Sequence, residues 1–278
     1  IRLSLVGSEM CIRDSPGIVM KLFRKKKFVF EVRDLWPELP KALGMRNPFW
    51  LWGMSALEWL SYHCADACIG LSPGICVGIK KRSQINKPIA MIPNGCDLEI
   101  FKPSLRDNLL LEGVKPTDKV VIFTGAHGVA NGLDAILDAA AVLKDMGRDD
   151  IVLVFVGDGK VKPHLMERAR KEQLDNCKFY APMPKTELNK LVASADVGLM
   201  VLANVPAFYY GTSPNKFFDY ISSGLPVLNN YPGWLADMIK ENHLGVVVTP
   251  NDAKAFAVGL ISLLDNEDYR VSCGKNAR

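Results

Sequence analysis

A lysine and a carboxylate three residues apart, Lys216 and Asp219 in SPNKFFDYISSGLPV, have the types and the spacing to grip a charged ligand. Residues i and i+3 of a helix share a face. With Asn215 they fall on the first turns of a helix expected to start near Ser213 or Pro214, to end at Gly224 and to point at the carboxyl edge of a sheet. An ammonium there suits a diphosphate and a carboxylate suits ribose hydroxyls. A plain surface salt bridge uses the same two residues, and spacing does not choose between these readings. A second stretch, FTGAHGVANGLDAIL, sets Gly125, Gly128 and Gly132 between a strand and a helix, where small residues let backbone N–H groups and a helix N-terminus approach a phosphate. Its spacing is not the dinucleotide G-x-G-x-x-G, and no acid ends the next strand, where Gly157 opens GDGK. His127 either donates to a phosphate oxygen or caps the turn.

Such groups need a sheet edge to sit on. The runs KVVIFTG, DIVLVFVG, CKFYA and ADVGLMVL are short and rich in β-branched residues, and segments of helical period separate them. Alternation of this kind predicts an α/β, doubly wound parallel sheet. Leu133, Ile136, Leu137, Ala140 and Leu143 fall on one helical face that would pack on it. The first half is similar but shorter: KFVFEV, ACIGLS and IAMIPNG read as strands, and NPFWLWGMSALEWLSYHCA and GICVGIKKR as helices. Three strands are too few for a doubly wound domain, so this Rossmann-like domain is expected to be incomplete. The polar stretch from Lys102 to Lys119 is the natural linker, and the domains are drawn at 16–103 and 104–278.

Residues 5–15, LVGSEMCIRDS, are encoded in order by a common transposase sequencing adapter, so residues 1–15 are set aside as non-native and Leu5–Ser15 is expected to be disordered or to make no coherent packing with the rest. The chain then reads as a fragment whose native sequence begins near Pro16. Over 278 residues, 49% hydrophobic and 23% charged is the composition of a globular protein with a core, and a net charge of +4 excludes a dedicated nucleic-acid binder. The basic residues gather in KLFRKKK, Lys21 to Lys27, which is a solvated face or a contact for phosphate head groups. Six of the seven cysteines lie outside the adapter segment and form no C-x-x-C pair. Cys64 and Cys68 are spaced i, i+4 beside His63, but reduced thiols of a cytosolic protein explain them without a metal. FWLWGMSALEWL is interrupted by Glu58 and too short to span a bilayer, so it is expected to be a buried or interfacial helix.

The motifs EVRDLWPELP, LSPG, IPNGCDLEIFKP, GAHGVANGLD, VGDGKVKPHL, SPNKFFDYISSGLPV and GWLADMIKENHLGVVV stand in the order seen in family 4 retaining glycosyltransferases, and from Pro16 onward the chain resembles their polysaccharide and lipopolysaccharide branch. The resemblance implies the GT-B fold of two Rossmann-like domains. It implies a nucleotide diphosphate sugar, a UDP-sugar for choice, held by the C-terminal domain, and a saccharide or lipid-linked acceptor held by the N-terminal one. Carried onto this sequence, the donor side is Gly125, His127, Gly128, Asn131, Gly132, Lys160, Met183, Asn215 and Asp219, and the catalytic set is Lys216, Arg33 and Asp34. Departures are specific. Gly211 replaces the first acid of the family's E-x7-E pair, Asp219 replaces the second, Arg33 aligns with an active-site histidine, and the glycine loop lacks the usual arginine and lysine. Lys216, helped by Lys160 or Lys162, is the remaining cation for the diphosphate. There is no D-x-D motif, so transfer independent of metal and of any cofactor is expected, at the cytoplasmic face of a membrane. A sugar-nucleotide 2-epimerase and a non-catalytic nucleotide-sugar-binding subunit are the competing readings.

Overall fold

The computed structural model describes residues 10–42 (backbone alone for 10–15), 44–83, 86–104, 111–209 and 211–278. They form two compact units, one built from the residues up to Asn94 with Val205–Ser213, the other from Gly95–Asn204 with Pro214–Arg278. The expectation for Leu5–Glu9 falls outside the described residues. The backbone of Met10–Ser15 is helical, in the opening turns of a helix running from Met10 to Arg24 with Pro16 inside it, and whether its side chains pack falls outside what the structure describes.

In the first unit, β1 (Val29–Val32), β2 (Ala67–Gly70) and β3 (Ile89–Met91) make a parallel sheet in that order, with Val29 opposite Ala67 and Cys68 opposite Ile89. Phe30, Val32, Tyr62, Cys68, Leu71, Ile75 and Ile79 form its core. The helix Pro48–Cys64 begins where Asn47 Oδ1 accepts from the amides of Phe49 and Trp50. At its other end Lys87 Nζ donates to the carbonyls of Tyr62, His63 and Ala65, so one side chain satisfies several orphan acceptors. Glu58, the apparent interruption, is buried and bonded to Arg82 at 2.7 Å. The aromatic residues are not buried: Phe49 is 84% exposed, Trp50 69%, Trp52 74% and Trp59 57%. Apolar content alone says nothing of which face meets a neighbour, and this helix buries its Glu58, Ser61 and Tyr62 side.

In the second unit, β4 (Lys119–Thr124), β5 (Ile151–Val156), β6 (Cys177–Tyr180), β7 (Val197–Met200), β8 (Val227–Asn229) and β9 (Gly245–Val247) form a parallel sheet in the order β6-β5-β4-β7-β8-β9. Counted within the unit this is 3-2-1-4-5-6, the doubly wound order whose reversal between β4 and β7 opens a crevice at the carboxyl ends of those strands. Leu133, Ile136, Leu137, Ala140 and Leu143 are all buried, as their period predicts, and pack with Leu153, Phe155, Leu260 and Leu263. The helix Asn215–Ser222 runs from Pro214 to a left-handed Gly224 at φ 71°. It is pinned to the sheet by Tyr220, whose hydroxyl accepts from the Thr124 amide at 2.9 Å and lies 3.1 Å from Thr124 Oγ1.

Replacing Tyr220 by Phe leaves that buried amide without a partner. The expected cost is about 1–3 kcal/mol of unfolding free energy, read by urea denaturation, whereas Tyr269→Phe on the surface should cost well under half of that.

Candidate functional site

The loops after β4 and β5 run so close together that side chains are excluded between them. A Cβ at Gly157, where φ is 148°, would collide with the Gly125 carbonyl oxygen, and one at Gly159 with that of His127. Gly132 has φ 56°, and its Cβ would stand 2.7 Å from Ala203 Cα on the loop after β7. Gly128 differs, because at φ −102° with open space around it nothing demands a glycine. The cradle is therefore set by Gly125, Gly132, Gly157 and Gly159, two of which the sequence pattern left out.

His127 is tied in by its backbone, its amide donating to the Asp158 carbonyl at 2.8 Å and its carbonyl accepting from Val161. The ring is fully buried between Phe123 and Phe155, and neither nitrogen has a hydrogen-bond partner. Burial first, then the positive charges of Lys162 and Lys216 against Asp158, lowers its pKa to about 4. The imidazole is neutral at physiological pH.

Lys216 is half-buried, but its ammonium ends inside the loop. Nζ lies 3.8 Å from the centre of the Phe123 ring and 3.4 Å from Asn131 Oδ1. Asn131 is fixed in turn, donating from Nδ2 to the Ala126 carbonyl at 2.7 Å. Desolvation lowers the Lys216 pKa to about 7. Asp219, on the same helix, does not pair with it: the carboxylate is buried, its Oδ1 has no hydrogen-bond partner, and burial, opposed by Lys185, raises its pKa to about 6. The surface salt bridge is thus excluded, since both groups are taken out of water separately.

The other expected residues divide. Lys162 is no free cation, because Nζ donates to the carbonyls of Gly157 and Tyr180 at 2.8 Å each. Lys160 and Asn215 are exposed, and Met183 is half-buried in the loop after β6. Arg33 and Asp34 belong to the first unit. Arg33 is exposed and bonds Glu31 at 2.9 Å, while burial, opposed by Arg33, raises the Asp34 pKa. Asp34 lines a cavity of about 70 Å³ with Glu38, Phe208, Gly211 and Thr212. Among the described residues no cluster of three or more His, Cys, Asp or Glu could hold a metal ion, and the thiols of Cys64 and Cys68 are free. Sequence reasoning missed Phe123, whose position at the end of a core strand gave no sign of a ring beneath an ammonium, and Lys185, which faces Asp219 from a different helix.

An aspartate whose pKa is raised in the folded state binds its proton more readily there than when unfolded, so stability falls as pH rises from about 4 to about 6 and the penalty is complete above that. Asp219→Asn removes the titration. It should exceed the parent by about 1–3 kcal/mol at pH 7.5 and match it near pH 4, in denaturant titrations at both values; equal stability at pH 7.5 would refute the burial of an ionised carboxylate.

Comparison with known proteins gives the same picture. Residues 111–278 match the family of glycosyl transferases group 1. A D-inositol 3-phosphate glycosyltransferase of Corynebacterium glutamicum is 27% identical over 207 residues, 68% of this chain and 46% of the relative. The probable glycosyltransferase WbjE of Pseudomonas aeruginosa is 24% identical over 237 residues, 83% of this chain and 58% of the relative. The chain thus spans about half the length of these curated relatives. Among solved structures, Anabaena HepE in complex with UDP and glucose superposes with a TM-score of 0.78 at 16% identity, over 96% of this chain and 70% of that one. WaaG, a glycosyltransferase involved in lipopolysaccharide biosynthesis, gives 0.71 at 20% identity, over 90% and 69%. These likenesses fix the fold as GT-B. With more than half of its length matching the family, and that part carrying the glycine cradle and the Lys216 helix, the chain belongs to the glycosyl transferases group 1.

Proposed function

We infer that the second unit holds the diphosphate of a nucleotide sugar and that the protein transfers the sugar to a saccharide or lipid-linked acceptor. One observation carries this reading: the Lys216 Nζ sits beside a glycine-built backbone cradle at the sheet's switch point, with no carboxylate paired to it among the described residues. Transfer breaks the bond from the anomeric carbon to the diphosphate and forms one to the acceptor oxygen, whose proton leaves with the diphosphate. Negative charge grows on the leaving group, so a donor that strengthens with that charge speeds the step. Lys216 is assigned that role, with the backbone around Gly125 and Gly128. Asp219 takes the ribose hydroxyls, and Asn131, Gly132, Asn215, Lys160 and Met183 complete the donor side, while neutral His127 shapes the loop. Arg33 and Asp34 serve the acceptor side. UDP is the favoured nucleotide because HepE was solved with it. Retention of configuration, independence of metal ions and the lack of a cofactor are part of the proposal and rest on the family resemblance. A sugar-nucleotide epimerase would change the donor sugar without any acceptor, which separates the two activities.

Titration calorimetry with UDP at pH 6 tests the donor site. Lys216→Ala should weaken binding by about 10–100-fold, the worth of a charge-assisted hydrogen bond. No binding by the parent chain, or equal binding by the variant, would contradict the reading.

A membrane surface is the proposed location. No described helix is long and apolar enough to cross a membrane. The first unit instead exposes Phe49, Trp50, Trp52 and Trp59 on one helix, Leu22, Phe23 and Arg24 at the end of the helix packed against it, and Lys25, Lys26 and Lys27 in the segment that follows. Interfacial aromatic residues and basic residues, each worth about 1 kcal/mol near anionic lipid, act together in such contacts. Flotation with vesicles should require anionic lipid and fall away at high salt; binding to neutral vesicles at equal strength speaks against it.

A further inference from the structure

The cation of the cradle is held in an unusual way. In most buried sites a lysine is kept charged by a carboxylate within hydrogen-bond reach. Here the groups around Lys216 Nζ are an aromatic ring from β4, a side-chain amide from the glycine loop and the loop backbone itself. Among the described residues, no charged group nearby forms an ion pair with Lys216. Lys162, from the loop after β5, is bound to two carbonyls. Asp158 accepts from the Gly159 amide, His127 is neutral, and Asp219 on the Lys216 helix makes no ion pair with it. Resting on the donor-site reading above, we propose that Phe123 and Asn131 act as positioning residues which hold Lys216 without an anion, so that a nucleoside diphosphate is its first anionic partner and binds together with a proton.

The physics runs in one direction. A ring face and an amide oxygen steer an ammonium but give back little of the hydration it loses. Desolvation accordingly brings the free lysine to about 7, and a diphosphate in contact with it would restore the proton. At pH 8 most empty molecules carry a neutral amine and must take up a proton to bind. At pH 6 they already carry it. The lysine's contribution to affinity should therefore be flat below pH 7 and drop about tenfold per pH unit above it, on top of the ionisation of the ligand itself. Product and donor both gain from the same proton, but the diphosphate product, with the larger charge, gains more.

The test is calorimetry with UDP at pH 6, 7, 8 and 9, each in two buffers of different ionisation enthalpy, so that the heat reports protons exchanged. The secondary phosphate of UDP ionises near pH 6 and is common to every protein compared. For the parent chain, uptake approaching one proton at pH 8 and little at pH 6 are expected. Lys216→Arg is charged throughout and should abolish both the uptake and the fall in affinity. Asn131→Asp places a carboxylate beside the amine, which keeps it charged when empty and should also abolish the uptake, with weaker binding overall. Phe123→Leu removes the ring and should move the onset of the fall to lower pH, with a cooperative unfolding transition confirming that the variant is folded. Buffer-independent heat at pH 8, or proton uptake that survives Lys216→Arg, overturns the proposal. An unchanged pH profile in both Asn131→Asp and Phe123→Leu removes their positioning role. Absence of UDP binding by the parent at pH 6 overturns the donor-site reading itself, and this inference with it.

Discussion

Tyr220 reaches through the core of the second unit to the last residue of β4, and the site depends on that reach. The hydroxyl meets both the amide and the side chain of Thr124 at the point where the strand gives way to the glycine loop. One residue of the Asn215–Ser222 helix thereby fixes the height of the whole helix against the sheet. Lys216, one turn earlier, has its ammonium set over Phe123, the residue before Thr124. The opposite wall is fixed by exclusion, since Gly157 and Gly159 let a second loop lie directly against the first. A hydrogen bond on one side and the lack of side chains on the other hold the cradle to a single geometry.

Burial acts on the three titratable groups there in the same sense, towards neutrality. It brings Lys216 down to about 7 and His127 to about 4, and lifts Asp219 to about 6. The empty site stores its electrostatics as desolvation and not as ion pairs. Ion pairs would have to be broken before a ligand entered, with the loss of a well-made contact each time. Desolvated groups have no such contact to lose, which suits a site that must accept a diphosphate and let it go.

Much of the second unit was legible in the sequence because its signals are local. The face Leu133, Ile136, Leu137, Ala140 and Leu143 is a periodic pattern, and it is buried as a face. The start and stop of the Lys216 helix follow from proline before it and glycine after it. What could not be read involves partners distant in the chain. The i, i+3 spacing of Lys216 and Asp219 put them on adjoining turns but could not say that the first would turn to Phe123 and Asn131, 93 and 85 positions away by number. Val205–Ser213 joins the first unit although the sequence around it belongs to the second, and no composition shift marks the excursion. Glu58 looked like a break in an apolar helix, yet Arg82 makes its burial tolerable while the tryptophans stay outside.

The edge of the first sheet carries a further meaning. Among the described residues β1 pairs only with β2, so one row of its backbone donors and acceptors is left for a further parallel strand of the doubly wound sheet that the resemblance implies. Lys25, Lys26 and Lys27 stand exposed immediately before β1. The basic run therefore lies at the amino ends of these parallel strands, away from the carboxyl ends where sheets of this kind take their ligands. A contact between the basic run and anionic lipid would leave that ligand end of the sheet open.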